Sequence, residues 1–161
     1  MKIKFNHIQD LADARYAASC MADYMGFAIS GEHALPLAQI QEIIGWCSGP
    51  KLCLETAPET TLESIQAYCD VLPIEAIACS LEQAQRWSQL LADDLEYLIS
   101  DSQSVEAPFW AGPIKITQFD AEFALSLDPH SFISLDCVAQ AQVGLKNFDE
   151  WNSFFEALDI L

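Results

Sequence analysis

The chain has 161 residues, which fits one domain with a sizeable core, and 52% of them are hydrophobic, which excludes a disordered chain. Seven Lys and Arg against 24 Asp and Glu give a formal charge of −17, a surface that repels DNA, RNA and anionic membranes and works against long-range capture of phosphorylated ligands. No apolar run approaches the roughly 18 residues that span a bilayer.

The opening MKIKFNHIQD carries no apolar signal core, so a cytoplasmic protein is expected. Lys2–Asn6 reads as a strand, and Leu11–Met21 as a helix with Asp10 as its N-cap. Asp23–Ser30 is a second strand and Leu35–Cys47 a second helix. Gly49 and Pro50 punctuate before the strand Lys51–Glu55. The helix Leu62–Cys69, the strand Ile74–Cys79, the helix Leu81–Leu91 and the strand Leu95–Ser100 follow. Three strand-like runs then come close together: Pro113–Thr117, Phe123–Asp128 and Phe132–Asp136. Phe148–Leu158 is a closing helix. The six cysteines form no C-x-x-C pair and sit mostly in apolar company, so they read as reduced core residues.

Alternating strands and helices imply a parallel sheet with right-handed crossovers. Eight such strands close as a TIM-type (β/α)8 barrel, which usually takes roughly 200 residues or more. The expected fold is therefore α/β, a compressed barrel with several helices missing in the C-terminal half, in one domain over residues 1–161. The competing architecture is an open doubly wound sheet in which the late strands pair as antiparallel hairpins.

Two stretches resemble phosphoribosylanthranilate isomerase. The first, KIKFNHIQDLADARYAASCMADYMGF, is similar to that family's opening KICGIT…DA…AD…GF through Lys4, Ile8, Asp13, Ala14, Ala17, Ala22, Asp23, Gly26 and Phe27. The second, VGLKNFDEWNSFFEAL, is similar to its final helix region through Gly144, Lys146, Phe154 and Ala157. The resemblance implies a barrel descended from a ketol isomerase of tryptophan biosynthesis, with a cysteine base on strand one and an aspartate acid on strand six. The position of that cysteine is occupied here by Asn6, and an amide accepts no proton at neutral pH. His7 takes the place of the family's glycine and titrates near neutrality, but it must curl over the rim to act. Asp101, in YLISDS, matches the acid by local text and not by strand order. The loop Ser30–Ala34 lacks the family's arginine, and the expected phosphate loops, Leu127–His130 and Asp136–Ala139, carry aspartates in place of glycines.

On this reading the C-terminal strand ends gather His7, His33 and His130 with Glu55, Asp101, Asp128, Asp136 and Cys137. A metal or acid–base site is one interpretation; polar loops without chemistry is the other, favoured because the spacing matches no ligand motif. No metal and no cofactor is assigned. Side-chain alternation puts Lys4, Asn6, Cys53, Glu55 and Lys115 inside the barrel, where Lys4 and Lys115 can pair with Glu55, Asp128 or Asp136. Trp46, Trp87, Trp151, Phe154 and Phe155 read as helix–barrel packing, and Trp110 as a residue over the mouth or in the gap of a lost helix. The apolar outer faces around Ile114, Ile116, Leu125, Leu127, Ile133 and Leu135 need cover from the 103–112 loop or from a second copy of the chain.

The functional expectation is a divergent barrel that has lost the parent isomerase activity and binds a small molecule at the mouth, or a protein. Its ligand-binding residues are Lys4, His33, Glu55, Asp128, His130 and Asp136. The alternatives are an active isomerase using Asn6, His7 and Asp101, and an enzyme of other acid–base chemistry. Nucleic acid and membrane are excluded as partners, and a homo-oligomer through the late strands is the expected assembly.

Overall fold

The computed structural model describes residues 1–101, 105, 106, 108–140 and 148–160. Gly144 and Lys146 of the second family-like stretch, and part of the 103–112 loop, lie outside the described residues. Eight strands form one sheet: β1 (Lys2–Asn6), β2 (Tyr24–Ala28), β3 (Lys51–Glu55), β4 (Ile74–Cys79), β5 (Glu96–Ile99), β6 (Trp110–Ala111), β7 (Ile114–Lys115) and β8 (Phe132–Asp136). Their hydrogen-bonded order is β6-β5-β4-β3-β2-β1-β8-β7, and every pair is parallel. Among the described residues the antiparallel hairpins of the doubly wound alternative do not occur.

The two edges of that order, β6 and β7, are neighbours in the chain, separated only by Gly112 and Pro113. The sheet must therefore curl until its edges meet, and the segment Trp110–Lys115 is the seam. Its first half follows β5, with Leu98 opposite Trp110, and its second half follows β8, with Lys115 opposite Ser134. Gly112 N donates to Ile99 O at 2.9 Å, and Ile116 N donates to Ser134 O at 2.8 Å, which ties the seam to both sides. The result is the TIM-type (β/α)8 architecture in compressed form.

Among the described residues there are six α-helices: α1 (Leu11–Ser19), α2 (Leu37–Ile44), α3 (Leu62–Cys69), α4 (Leu81–Trp87) and α5 (Ala121–Ser126) between strands, and α6 (Asp149–Ala157) after β8. Among the described residues no α-helix follows β5 or β6. Local signals set the helix starts. Asp10 caps α1 through Asp13 N, Thr61 caps α3 through Ser64 N, and Ser80 with Gln83 closes a capping box on α4. Alternation along β1 sends Ile3 and Phe5 outward under the helices, where the Phe5 ring meets Tyr16, Trp151 and Phe155 at centroid distances of 5.9, 5.5 and 6.0 Å. Lys4 and Asn6 point into the barrel.

The N-terminal end of the barrel is closed. Tyr24, Cys53, Ala76 and Leu98 pack together inside it, with Phe132 against them. Below them Glu96 accepts from Lys51 Nζ and from the Tyr24 hydroxyl, both at 2.6 Å, while Lys2 lies 4.8 Å over the Trp110 ring. The open end is therefore the C-terminal one.

Several expectations need correction. Phe123–Asp128 is not a strand: Asp120 accepts from Phe123 N at 2.8 Å and starts α5, and helix formation wins because this cap satisfies a free N–H. The segment Leu127–Ser131 then leads into the start of β8, so Asp128 and His130 stand at the N-terminal end of the barrel and not at its mouth. There Asp128 Oδ1 accepts from His130 N at 2.7 Å in a tight turn. Trp110 lies at that same end and is 53% exposed, and Trp46 is an exposed residue beyond α2. The outer face of β8 is covered within the chain: Ile133 and Leu135 are buried in the cluster that contains Trp151, Phe154 and Phe155 of α6, and Ile116 joins it. Ile114 and Leu125 remain exposed.

Gly112 identifies the seam as the tightest backbone approach that the fold demands. A Cβ there would stand 2.5 Å from Ile99 O, a backbone atom that is fixed in β5. The Gly112→Ala variant should lose about 1–3 kcal/mol in urea unfolding, as for other overpacked sites.

Candidate functional site

The mouth is built from the C-terminal ends of β1, β3, β7 and β8. Lys4 is 2% exposed, and its ammonium donates to Glu55 Oε1 and to Asn6 Oδ1. Gly26, opposite Cys53 in the β2–β3 register, leaves the room: a Cβ at that position would overlap the Glu55 carboxylate and the Lys4 ammonium. Burial acts to lower the Lys4 pKa, but the Glu55 carboxylate outweighs it and holds the group above its ordinary value.

His7 sits where β1 ends, with a left-handed φ of 54°. That backbone turn is uncommon outside glycine, although His, Asn and Asp adopt it more readily than other residues, and it carries the imidazole over the mouth. His7 N donates to Glu55 Oε2 at 2.9 Å, which fixes the turn. The ring's Nδ1 lies 3.1 Å from Asp136 Oδ1 and its Nε2 lies 3.6 Å from Glu55 Oε2. Lys115 Nζ donates to Asp136 Oδ2 at 2.8 Å, and Val138 N donates to Asp136 Oδ1 at 3.1 Å. The mouth thus holds one chain of alternating charge: Lys4, Glu55, His7, Asp136, Lys115.

The Asp136 hydrogen bond pushes the His7 pKa above its ordinary 6.5, against the opposing effect of burial. Burial acts to raise the Asp136 pKa, but the His7 and Lys115 bonds hold it well below the usual carboxylate range. Both shifts favour the ionic form of the His7–Asp136 pair. Cys53, inside the barrel beside Lys4, is the reverse case: burial pushes its thiol up to about 12, so it is neither a thiolate nor a base at neutral pH.

The predicted site residues separate into two groups. Lys4, Asn6, His7, Glu55, Lys115 and Asp136 come together at the mouth, and the His33 ring lies 5.3 Å from that of His7. Asp101 does not join them. Its carboxylate accepts from Leu81 N at 3.0 Å at the start of α4 and lines a neighbouring cavity with Gln83 and Arg86. Asp128 and His130 are at the other end, as described above. Sequence reasoning left out Ala78, Leu98 and Pro113, which form an apolar wall of the mouth. The mouth cavity measures about 290 Å³. Among the described residues no group of three His, Cys, Asp or Glu side chains is arranged to hold a metal ion, and no helix is long and apolar enough to cross a membrane.

Two measurements test this arrangement. The raised His7 pKa means that its pairing contributes stability in full below 6.5 and loses it as pH rises through the folded-state value. A ¹H–¹³C NMR titration should show the His7 ring titrating above 6.5, and Asp136→Asn should bring it back toward that value. Lys4→Met should cost about 3–5 kcal/mol of stability, because it leaves Glu55 buried without its cation, and Lys4→Met combined with Glu55→Gln should recover most of that loss.

No protein-family model matches the sequence, and no curated protein does. Among solved structures, the phosphoribosylanthranilate isomerase of Thermus thermophilus matches with a TM-score of 0.74 at 13% identity, covering 99% of this chain and 98% of that one. The isomerase of Pyrococcus furiosus matches with a TM-score of 0.61 at 12% identity, and that of Thermotoga maritima with 0.55 at 12%, each covering 100% of both chains. At these identities the likeness speaks for the fold, and the compressed TIM-type barrel of this chain is the fold of the phosphoribosylanthranilate isomerases.

Proposed function

We propose that this chain is a phosphoribosylanthranilate isomerase-like barrel that has left the parent reaction and serves as a small-molecule binding module, with its site at the C-terminal mouth. The observation that carries this reading is the state of Asn6. It stands where the resemblance requires a proton-abstracting cysteine, and its carbonyl oxygen is held by the Lys4 ammonium. The space beneath it is filled by the Lys4–Glu55 pair, so no base stands there to receive a substrate proton. The acid of the parent reaction is equally without a counterpart: the Asp101 carboxylate is engaged on the Leu81 backbone, and Asp136 is committed as an anion to His7 and Lys115.

One observation favours a second reading, an enzyme of different acid–base chemistry. His7 leans over the mouth with a carboxylate on Nδ1, the arrangement that orients an imidazole for proton transfer. In this reading His7 acts as a general acid, because Asp136 and Glu55 favour its protonated form.

Expression of the chain in a tryptophan auxotroph that lacks the isomerase discriminates between lost and retained activity. No growth is expected, and the purified protein should not deplete phosphoribosylanthranilate above the buffer rate in a fluorescence assay. Growth, or depletion that disappears in His7→Asn, would overturn the proposal in favour of an active enzyme.

A further inference from the structure

The mouth is unbalanced in hydrogen-bonding capacity. Every carboxylate oxygen there already accepts from the protein: Glu55 receives Lys4 on Oε1 and His7 N on Oε2, and Asp136 receives His7 and Val138 N on Oδ1 and Lys115 on Oδ2. Its donors are not all engaged. A lysine ammonium has three N–H bonds, and Lys4 gives two of them, to Glu55 and Asn6. Lys115 gives one, to Asp136. Among the described residues the Asn6 amide N–H₂ and the His7 Nε2–H have no acceptor within hydrogen-bond distance. Spare donors beside carboxylates that are already engaged suit a ligand that accepts.

The charge count says how negative that ligand is. Three cationic groups, Lys4, His7 and Lys115, face two carboxylates, Glu55 and Asp136, which leaves one positive charge when His7 is protonated. Local charge of this sign in a chain of net −17 is a departure that the composition does not explain. A doubly charged phosphate ester would overcompensate it and would meet both carboxylates. Nor are the rim amides His7 N and Val138 N available to such a group, because each already donates to a protein carboxylate. One side of the cavity is apolar, formed by Ala78, Leu98 and Pro113, and about 290 Å³ lies at the small end of ligand pockets, which run from about 300 Å³ upward.

We propose that the mouth binds a small, singly charged carboxylate with an aliphatic body, received by Lys4, Asn6, His7 and Lys115 and packed against Ala78, Leu98 and Pro113. The proposal rests on the binding-module reading and names its ligand class. Binding depends on pH through His7. The groups that face this ring are Glu55 from β3, Asp136 from β8, Lys4 from its own strand, Lys115 from β7 by way of Asp136, and His33 from the loop after β2. Loss of the His7 proton removes the surplus positive charge, so affinity falls as pH rises.

Isovalerate is a suitable probe, with isovaleramide as the neutral isostere and inorganic phosphate as the competing anion. Each is titrated into the full chain labelled with ¹⁵N and ¹³C, and mouth resonances are followed. Isovalerate at pH 6 should give saturable shifts confined to the mouth, with isovaleramide and phosphate at least about tenfold weaker, a difference of about 1.4 kcal/mol. The isovalerate affinity should drop about tenfold between pH 6 and pH 9, and His7→Asn, which tolerates the left-handed backbone, should abolish that dependence. Lys115→Met, at a half-exposed position where folding is not at risk, should weaken isovalerate about as much. Equal binding of the amide, tighter binding of phosphate, shifts away from the mouth, or a pH-independent affinity would each overturn the proposal. None of those results would restore the isomerase reaction, which the auxotroph experiment tests separately.

Discussion

A lysine ammonium buried in the lumen of a barrel has to be paired, and most of the functional end of this molecule follows from that demand. An unpaired ammonium in such surroundings is costly enough that the group would lose its proton or the fold would open. Glu55 meets Lys4 across the lumen, and Gly26 keeps the intervening strand bare so that they can touch. Glu55 then has one oxygen left, which captures the His7 backbone and turns that residue into its left-handed conformation. The turn places the imidazole against Asp136, and Asp136 in turn collects Lys115. Each partner in the series is fixed by the one before it.

The compressed topology contributes the last link. A single segment, Trp110–Lys115, runs from β5 to β8 with no helix between its halves. That short path brings Lys115 beside Ser134 and within reach of Asp136. Economy of chain in the second half of the barrel thus places a third cation at the mouth. It also draws Pro113 into the wall of the cavity, opposite the polar groups.

The first five strands were legible because each is a short apolar run bounded by turn residues, and alternation alone placed Lys4, Asn6, Cys53 and Glu55 inside. The eighth, Phe132–Asp136, was equally legible, and β7 lies inside the expected Pro113–Thr117, but β6 and the helical nature of the run before β8 were not. The run FALSL has no period long enough to separate a strand from a helical turn, and only the cap at Asp120 marks it as a helix. That one error moved Asp128 and His130 from the N-terminal end to the mouth. Two-residue strands such as β6 leave no trace in a hydropathy pattern. The His7–Asp136 contact joins positions 129 apart in sequence, so nothing local announces it. That His7 stands where the resembled family has a glycine was visible, but its meaning depended on the Glu55 carboxylate that holds the turn.

The arrangement at the mouth rests on a charged Lys4 that fills the lumen and is bound to Glu55 and Asn6. Nitrogen-15 NMR of the lysine side chains at neutral pH tests it most directly. The expected result is a Lys4 Nζ signal at an ammonium shift, with protons that exchange slowly enough to be observed and that show hydrogen-bond coupling to the Glu55 carboxylate. A Lys4 signal at a neutral-amine shift, or one lost to rapid solvent exchange, would contradict it.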